Sequence, residues 1–559
     1  MKRKKEILTI GSCHLFAALT YVFFAPMEVI LLNSTEFHYT FGSFWWFQVL
    51  LALGAAVLLT LITAALPRKI RTGAAALSLG AGTAAWIQMM FMNGKMVRLT
   101  GNEMEVSAGE TAVNLIIWIG IAAAIFIAAV LLEKKGKPVR IWMSMLAGLL
   151  TAMQLVAFVS LVMTTDVGGN RDGHRFTKQN EFELGKGSNV IVFLTDGADG
   201  EYVDQMFEAY PEVKEQLNGW TYYPNATSRF SRTFPSLTYM LSGGENRLNI
   251  PVKEYVDTSF EKGDFLRNIH AAGADIGIYT MDNAYVSTKD DDIISNAQRD
   301  ENRFGDLKLV NLEKGLMKIS LFKCLPYAGK KLVKYDMGIL NVAAFKAESY
   351  SWHDPYVYDS LRADSLKTTD RYTKAFRFYH LWSAHRSAWW NEKLQKCAEE
   401  VPSYERLRGS FLLVEAYCEE MKELGIYDDA TIIIVADHGE ANGDSKNLVQ
   451  NRAACPLLMV KWPHSEEKGE LEISRAPVSH DDLFATITDA LGAERPNAGS
   501  GKTIRERAEG EEGERYYYYT AEDGRGDPKR MVEYVIRGDA EEFGNWEATG
   551  NEWPALIDW

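Results

Sequence analysis

Thr233 stands in "FSRTFPSLTYMLSG" (230–243) with no carboxylate or imidazole beside it in the chain. A threonine hydroxyl is a weak nucleophile until something ionises it. Residues able to do so occur elsewhere, at the ends of two apolar runs: Asp196 in "NVIVFLTDG" and Asp437-His438 in "ATIIIVADHGE". Two carboxylates, one imidazole and a threonine alkoxide would form a nitrogen and oxygen site suited to one divalent ion, Zn²⁺ or Mn²⁺. Such an ion lowers the pKa of a bound hydroxyl, and it draws charge from phosphoryl or sulfuryl oxygens under attack. Each piece alone has a plainer reading. Asp-Gly after a strand makes a turn, and Pro and Ser open helices. Their joint order favours the metal.

The elements that would bring them together alternate in type. "ADIGIYT", "FRFYHLWSAH" and "PLLMVKWP" read as further buried strands. Helical patterns separate them, such as "GSFLLVEAYCEEMKELG" with Gly425 as its C-cap. This alternation predicts an α/β domain with a mainly parallel sheet covered by helices. Functional residues gather at the C-terminal strand ends of such sheets, and Asp196, His385, Asp437 and His438 all fall there.

The first third is different. Apolar runs at about 7–32, 42–66, 73–94, 112–132 and 141–163 each reach the roughly 20 residues that cross a bilayer. A cleaved signal would explain the first run but not four more. Lys2, Arg3, Lys4 and Lys5 precede the first; Arg68, Lys69 and Arg71 follow the second; Lys134, Lys135, Lys137 and Arg140 follow the fourth. The opposite loops hold only Lys95 and Arg98. Positive-inside then predicts a multi-pass protein of the cell membrane, with its N-terminus cytoplasmic and everything after Met163 outside. Glu28, near the outer end of the first span, is left open between function and solvation. The expected organisation is a five-helix membrane domain at 1–165 and a linker at 166–188. A catalytic domain at 189–495 and a C-terminal extension at 496–559 with a small sheet element follow. The net charge of −14 argues against nucleic acid as a partner. Five cysteines without a pairing pattern imply no disulfide framework.

Over roughly 188–495 the outer part resembles the alkaline phosphatase and sulfatase superfamily. "TFPSL" matches the sulfatase frame Cys-x-Pro-Ser-Arg, with Thr233 for the cysteine and Leu237 for the arginine. Formylglycine cannot form from threonine, which points away from a sulfatase proper. The pattern is similar to the membrane-bound branch, lipoteichoic acid synthases and lipid phosphoethanolamine transferases, which also place five spans before an extracytoplasmic domain. The resemblance implies Asp196, Thr233, Asp437 and His438 as the metal set. "YHLWSAHRS" is similar to the transferases' "LHxxGSHGP" and implies His385 in substrate binding or proton transfer. It further implies a phosphoryl-group transferase that moves a phospholipid head group (glycerol phosphate or ethanolamine phosphate) onto an envelope glycan or polymer through a phosphothreonine ester. The alternatives are a sulfatase-like phosphodiesterase with water as acceptor, and a catalytically silent membrane scaffold. Two departures stand out. "ANGDSKNLVQN" lacks the transferases' further histidine, and Asp196 replaces their usual glutamate.

A two-metal phosphodiesterase would show Asp four residues before His385, where Leu381 stands. His380 is expected on the opposite side of its strand end, so one metal is expected. Arg232, His380 and Arg386 are secondary candidates for substrate contact. "AGSGKT" fails as a P-loop because its first glycine would fall on Pro496, and Arg525-Gly526-Asp527 reads as a surface turn. His480 in "SHDDLFATITDALG" is expected to pack, and Asp290, Asp291 and Asp292 to form a solvated loop. Trp389 and Trp390 are left between core packing and stacking on a sugar or lipid.

Overall fold

The computed structural model describes residues 2–34, 37, 39–93, 106–165, 167, 173–244, 250–299, 307–330, 332–333, 344–346, 348–382, 384–385, 388–439, 455–465, 469–522 and 528–554. Two compact units emerge: Met1–Asp172 with Asp300–Glu348, and Gly173–Arg299 with Ser349–Trp559.

The first unit contains five helices long and apolar enough to cross a membrane: Arg3–Leu32, Phe41–Ala65, Ile70–Met92, Ala108–Lys134 and Val139–Thr164. Small residues let them approach closely. A Cβ on Gly80 would lie 2.7 Å from the Ala122 carbonyl oxygen. Polar groups inside are matched: the His14 ring nitrogens lie 2.9 Å from Ser78 Oγ and 2.9 Å from Thr63 Oγ1. Glu28 is ion-paired with Lys323 at 3.2 Å. Lys323 belongs to Leu309–Cys324, a helix grouped with the spans. That grouping departs from the expected 189–495 boundary. An apolar stripe at Leu312, Leu316 and Ile319 fits a sheet or a helical bundle equally well, and the sequence does not say which.

The second unit is built on a seven-stranded sheet. Across it run Glu472–Ile473, Trp220–Tyr222, Leu458–Lys461, Thr431–Val435, Asn189–Thr195, Lys374–Leu381 and Ala274–Tyr279. All run in one direction except Leu458–Lys461, which is antiparallel to both neighbours. The central strands are buried throughout, which is why they read as unbroken apolar runs. Period-two alternation assigns their side chains to two cores. Val190, Val192 and Leu194 join Phe376, Phe378, Ile433 and Val435 beneath the helices Thr233–Ser242 and Leu483–Leu491. Ile191 and Phe193 join Tyr379, Ile432 and Ile434 beneath Gly200–Ala209 and Ser403–Glu423.

Part of the expected linker has structure of its own. His174–Phe176 pairs with Ala297–Arg299, and Glu183–Gly185 with Lys367–Thr369. The solvated-loop reading of 290–292 is corrected for Asp290 and Asp291, while Asp292 is exposed as expected. Asp290 is buried and paired with Arg267 at 3.3 Å, and Asp291 bonds both His174 and Arg299. Charged residues in a row look solvated until their cations arrive from distant strands. The tail forms a three-stranded antiparallel sheet, Glu514–Glu522, Pro528–Arg537 and Trp546–Pro554. Its first strand grips the segment before Thr233: Tyr518 N donates to Arg229 O at 2.9 Å and Thr520 N to Ser231 Oγ at 3.0 Å.

Candidate active site

Asp196 immediately follows the strand Asn189–Thr195, and its N–H donates to Leu381 O of the next strand at 2.9 Å. Gly197 then turns with φ +71°, a region open to glycine, and its N–H donates to Asp437 Oδ1 at 3.1 Å. Asp437 Oδ1 also accepts from His438 N at 3.0 Å. The same atom therefore ties two strand ends together, and the carboxylate's other oxygen is left for the site. Among the described residues, Asp196 Oδ1 and Asp437 Oδ2 are buried without a hydrogen-bond partner. Buried polar atoms are rarely left so.

Donor atoms of Asp196, Asp437 and His438 lie within 4.8 Å of one another. His438 Nε2 is 3.9 Å from Asp196 Oδ1 and 3.4 Å from Asp437 Oδ2. His438 Nδ1 is 2.9 Å from Gly439 O. A carbonyl only accepts, so Nδ1 carries a proton, and Nε2 is the ring nitrogen turned toward the carboxylates, the atom a metal would use. Thr233 Oγ1 is 3.3 Å from the same Nε2. The four predicted residues thus come together, although the chain separates Asp196 from Asp437 by most of the sheet.

Thr233 is delivered from the other side. Arg232 is extended (φ −148°, ψ 155°) and half-buried, and Phe234 is extended too, so regular helix begins only beyond Thr233. That helix is anchored by Tyr239, whose hydroxyl donates to Asp481 at 2.6 Å while Arg229 pairs with the same carboxylate at 3.0 Å.

The charges are strongly coupled. Burial works against ionising Asp196, but the imidazoles of His385, His380 and His438 prevail and hold it well below the carboxylate range. Burial and the neighbouring Asp196 charge push Asp437 up. Two buried carboxylates with orphaned oxygens that repel each other, beside one imidazole, fit a divalent cation.

His380 requires a correction. It is fully buried and lies on the Thr233 side of the sheet, with Nε2 3.3 Å from Asp196 Oδ2. Register explains this, because His380 pairs with Leu194 and continues the series of Phe376 and Phe378. Thr280 and Asp282, which the sequence reading passed over, face its other nitrogen at 3.0 and 3.6 Å. Burial pushes the Asp282 carboxyl up to about 7, against the pull of His380. Burial opposes charging His380, yet Asp196 and Asp282 outweigh it and raise its pKa. The signal was present as "IYTMD", an apolar run ending in Thr-x-Asp.

His385 stacks on Trp382 (5.3 Å, 16°), which stacks in turn on Trp352 (5.7 Å, 6°). Trp390 packs its edge on His353 and lies under Lys396, while Trp389 is exposed. Arg386 lies outside the described residues.

His480 packs beneath the Asp437 turn, with Nε2 2.9 Å from Ala436 O. Burial pushes its pKa down from 6.5 to about 4. The unfolded chain takes up this proton near pH 6.5 and the folded one only near pH 4, so stability falls as pH drops through that window. At about 1.4 kcal/mol per pH unit the loss approaches about 3 kcal/mol. Urea titrations between pH 7 and 4 should show it, and His480→Gln should flatten that part of the profile.

Residues 413–493 match the sulfatase family model. No curated protein matches the sequence. Solved structures similar to this chain include a protein in the alkaline phosphatase superfamily from Vibrio parahaemolyticus (12% identity, 69% of this chain and 85% of that one, TM-score 0.38). Phosphonate monoester hydrolase SpPMH from Silicibacter pomeroyi is another (14%, 63% and 87%, 0.36). So is the C-terminal periplasmic domain of EcEptC from Escherichia coli (10%, 65% and 93%, 0.34). The matched segment begins inside the helix Ser403–Glu423, includes Asp437 and His438, and ends just past Leu483–Leu491. Over residues 413–493 the chain is therefore similar to the sulfatase family, and five apolar helices precede that segment.

Proposed function

We propose that this protein is a membrane-bound phosphoryl-group transferase in which Thr233 is the nucleophile. The observation that carries the reading is the pair of orphaned buried oxygens, Asp196 Oδ1 and Asp437 Oδ2, beside a His438 Nε2 that is 3.3 Å from Thr233 Oγ1. Asp196, Asp437, His438 and Thr233 would hold one Zn²⁺ or Mn²⁺, which supplies the positive charge that lets a hydroxyl ionise near neutral pH.

Thr233 Oγ1 attacks the phosphorus of a phosphodiester in line. The bond to the lipid alcohol breaks, its oxygen takes a proton from the His385 imidazolium, and a phosphothreonine ester remains. The neutral imidazole then removes a proton from an acceptor hydroxyl, whose attack frees Thr233. Arg232 and Arg386 flank the two reacting residues in sequence and carry charge suited to non-bridging oxygens. His380, held by Asp196, Thr280 and Asp282, fixes the carboxylate's orientation. Five apolar helices in the same chain favour a membrane phospholipid as donor and an envelope glycan or polymer as acceptor. The loop charges favour a cytoplasmic N-terminus and an extracytoplasmic site.

Full-length protein in detergent, supplied with Mn²⁺ or Zn²⁺, should consume a glycerophospholipid and transfer its head-group phosphate to an added polyol. A chromogenic sulfate monoester should be untouched. Release of the phosphate to water regardless of acceptor would favour the hydrolase, and turnover of the sulfate ester alone would overturn the assignment.

A further inference from the structure

We infer that the helix Leu309–Cys324, with the turn that follows it, lies in the head-group layer of the bilayer as a sixth, non-spanning membrane element. The inference rests on the five helices crossing the membrane and not on the chemistry at Thr233.

Its inner face is fixed to the spans by matched polar pairs. Gln48 Nε2 donates to Glu313 at 2.6 Å, Lys323 pairs with Glu28 at 3.2 Å, and Asn93 Nδ2 donates to Lys323 O at 3.0 Å. At the helix's last residue Trp118 Nε1 donates to Cys324 O at 3.2 Å, and just beyond it Tyr327 N donates to Asn114 Oδ1 at 2.9 Å. Asn93 and Glu28 sit at the ends of their spans, just past Met92 and one turn before Leu32, while the other contacts reach further in. At 1.5 Å per residue, Gln48 is about 10 Å in from Phe41, Asn114 about 9 Å in from Ala108, and Trp118 about 15 Å in. A helix gripped at those levels lies at membrane depth.

The outer face has the chemistry of that depth. Val310 and Leu321 are 69% and 38% exposed, and they share a face with the exposed Lys314. Lys318 is exposed beside them. Lys314 and Lys318 lie between Val310 and Leu321 along the helix, so two apolar side chains that fit acyl chains bracket two lysines whose stems run along the boundary and whose ammonium groups reach lipid phosphates. The occupant of this face is the phospholipid layer, continuous with the lipid around the spans.

Nitroxide labels at Val310→Cys and Leu321→Cys test this in full-length protein reconstituted in phosphatidylcholine and phosphatidylglycerol vesicles. A Cys397→Ser background leaves only buried cysteines. Val156→Cys, exposed on a span, and Ile473→Cys, exposed on the α/β unit, are the lipid and water references. The ratio of relaxation by oxygen to relaxation by a nickel chelate should rise above the Ile473 value toward the Val156 value at both test sites. A water-like ratio would overturn the inference. Exclusion of both reagents would do so too, since another protein would then cover the face. A water-like ratio at Val156 would bring down the spanning reading with it, whereas the transfer chemistry stands or falls by its own assay.

Discussion

Replacing Thr233 by alanine should reduce turnover by about 10⁴-fold or more while leaving the fold in place. Loss of a nucleophile that acts as a unit with its activating groups has effects of this size. The structural change is small by comparison. Thr233 is half-buried, and among the described residues its side chain makes one hydrogen-bond contact, the 3.3 Å approach to His438. Truncation at such a position shifts stability by no more than about 1 kcal/mol, because the helix behind it is held by Tyr239 and Asp481. Circular dichroism and thermal melting should therefore match the parent protein while activity disappears. Thr233→Ser keeps a hydroxyl in the same place, primary instead of secondary, and should restore part of the rate. Equal activity in the alanine variant would remove Thr233 from the mechanism.

The second large effect is expected at Asp437. Asparagine is nearly isosteric, and its carbonyl oxygen can keep the two backbone hydrogen bonds that Oδ1 accepts from Gly197 and His438. It loses the charge, and an amide N–H takes the place of the orphaned Oδ2. Residues that merely support a metal ligand typically alter affinity 10- to 100-fold, so loss of a ligand should weaken Zn²⁺ or Mn²⁺ binding by more than about 100-fold. Stability gives an independent reading. A ligand at 100 times its dissociation constant stabilises the folded state by about 2.7 kcal/mol. EDTA should lower the unfolding midpoint of the parent protein and leave Asp437→Asn unmoved. Without metal the variant should be at least as stable, because its neutral amide no longer opposes the Asp196 carboxylate. Calorimetric titration of the full chain in detergent checks both points. An unchanged affinity would show that the ion is held elsewhere.

How much of this could be read from the sequence depended on whether the deciding interaction was local. Asp196, Asp437 and His438 were visible because each ends a run of apolar residues, and a polar residue there emerges at a sheet's carboxyl edge. Leu458–Lys461 was visible as a strand but not as an antiparallel one, since an apolar run reads alike in either direction. The side on which His380 lies followed from its register opposite Leu194, a long-range pairing that strand length alone does not specify. Thr280 and Asp282 acquire significance only because Ala274–Tyr279 pairs beside the His380 strand. Placement of Leu309–Cys324 was beyond the pattern altogether. Its stripe could cover a sheet or a bundle, and Gln48, Asn93, Asn114 and Trp118, more than 190 residues away in sequence, make the choice.

The most direct measurement of the central claim is the location of a covalent intermediate. His385→Ala removes the proton carrier of both steps and should slow turnover by about 10² to 10⁴-fold, which favours accumulation of the ester when resolution is the slower half. Full-length His385→Ala protein mixed with phospholipid and Mn²⁺ is quenched in acid and its peptides are mapped by mass spectrometry. The account predicts a head-group phosphate adduct on the peptide containing Thr233, absent after EDTA treatment and absent in the Thr233→Ala, His385→Ala double variant. An adduct that maps to another residue, or that persists in the double variant, would contradict it.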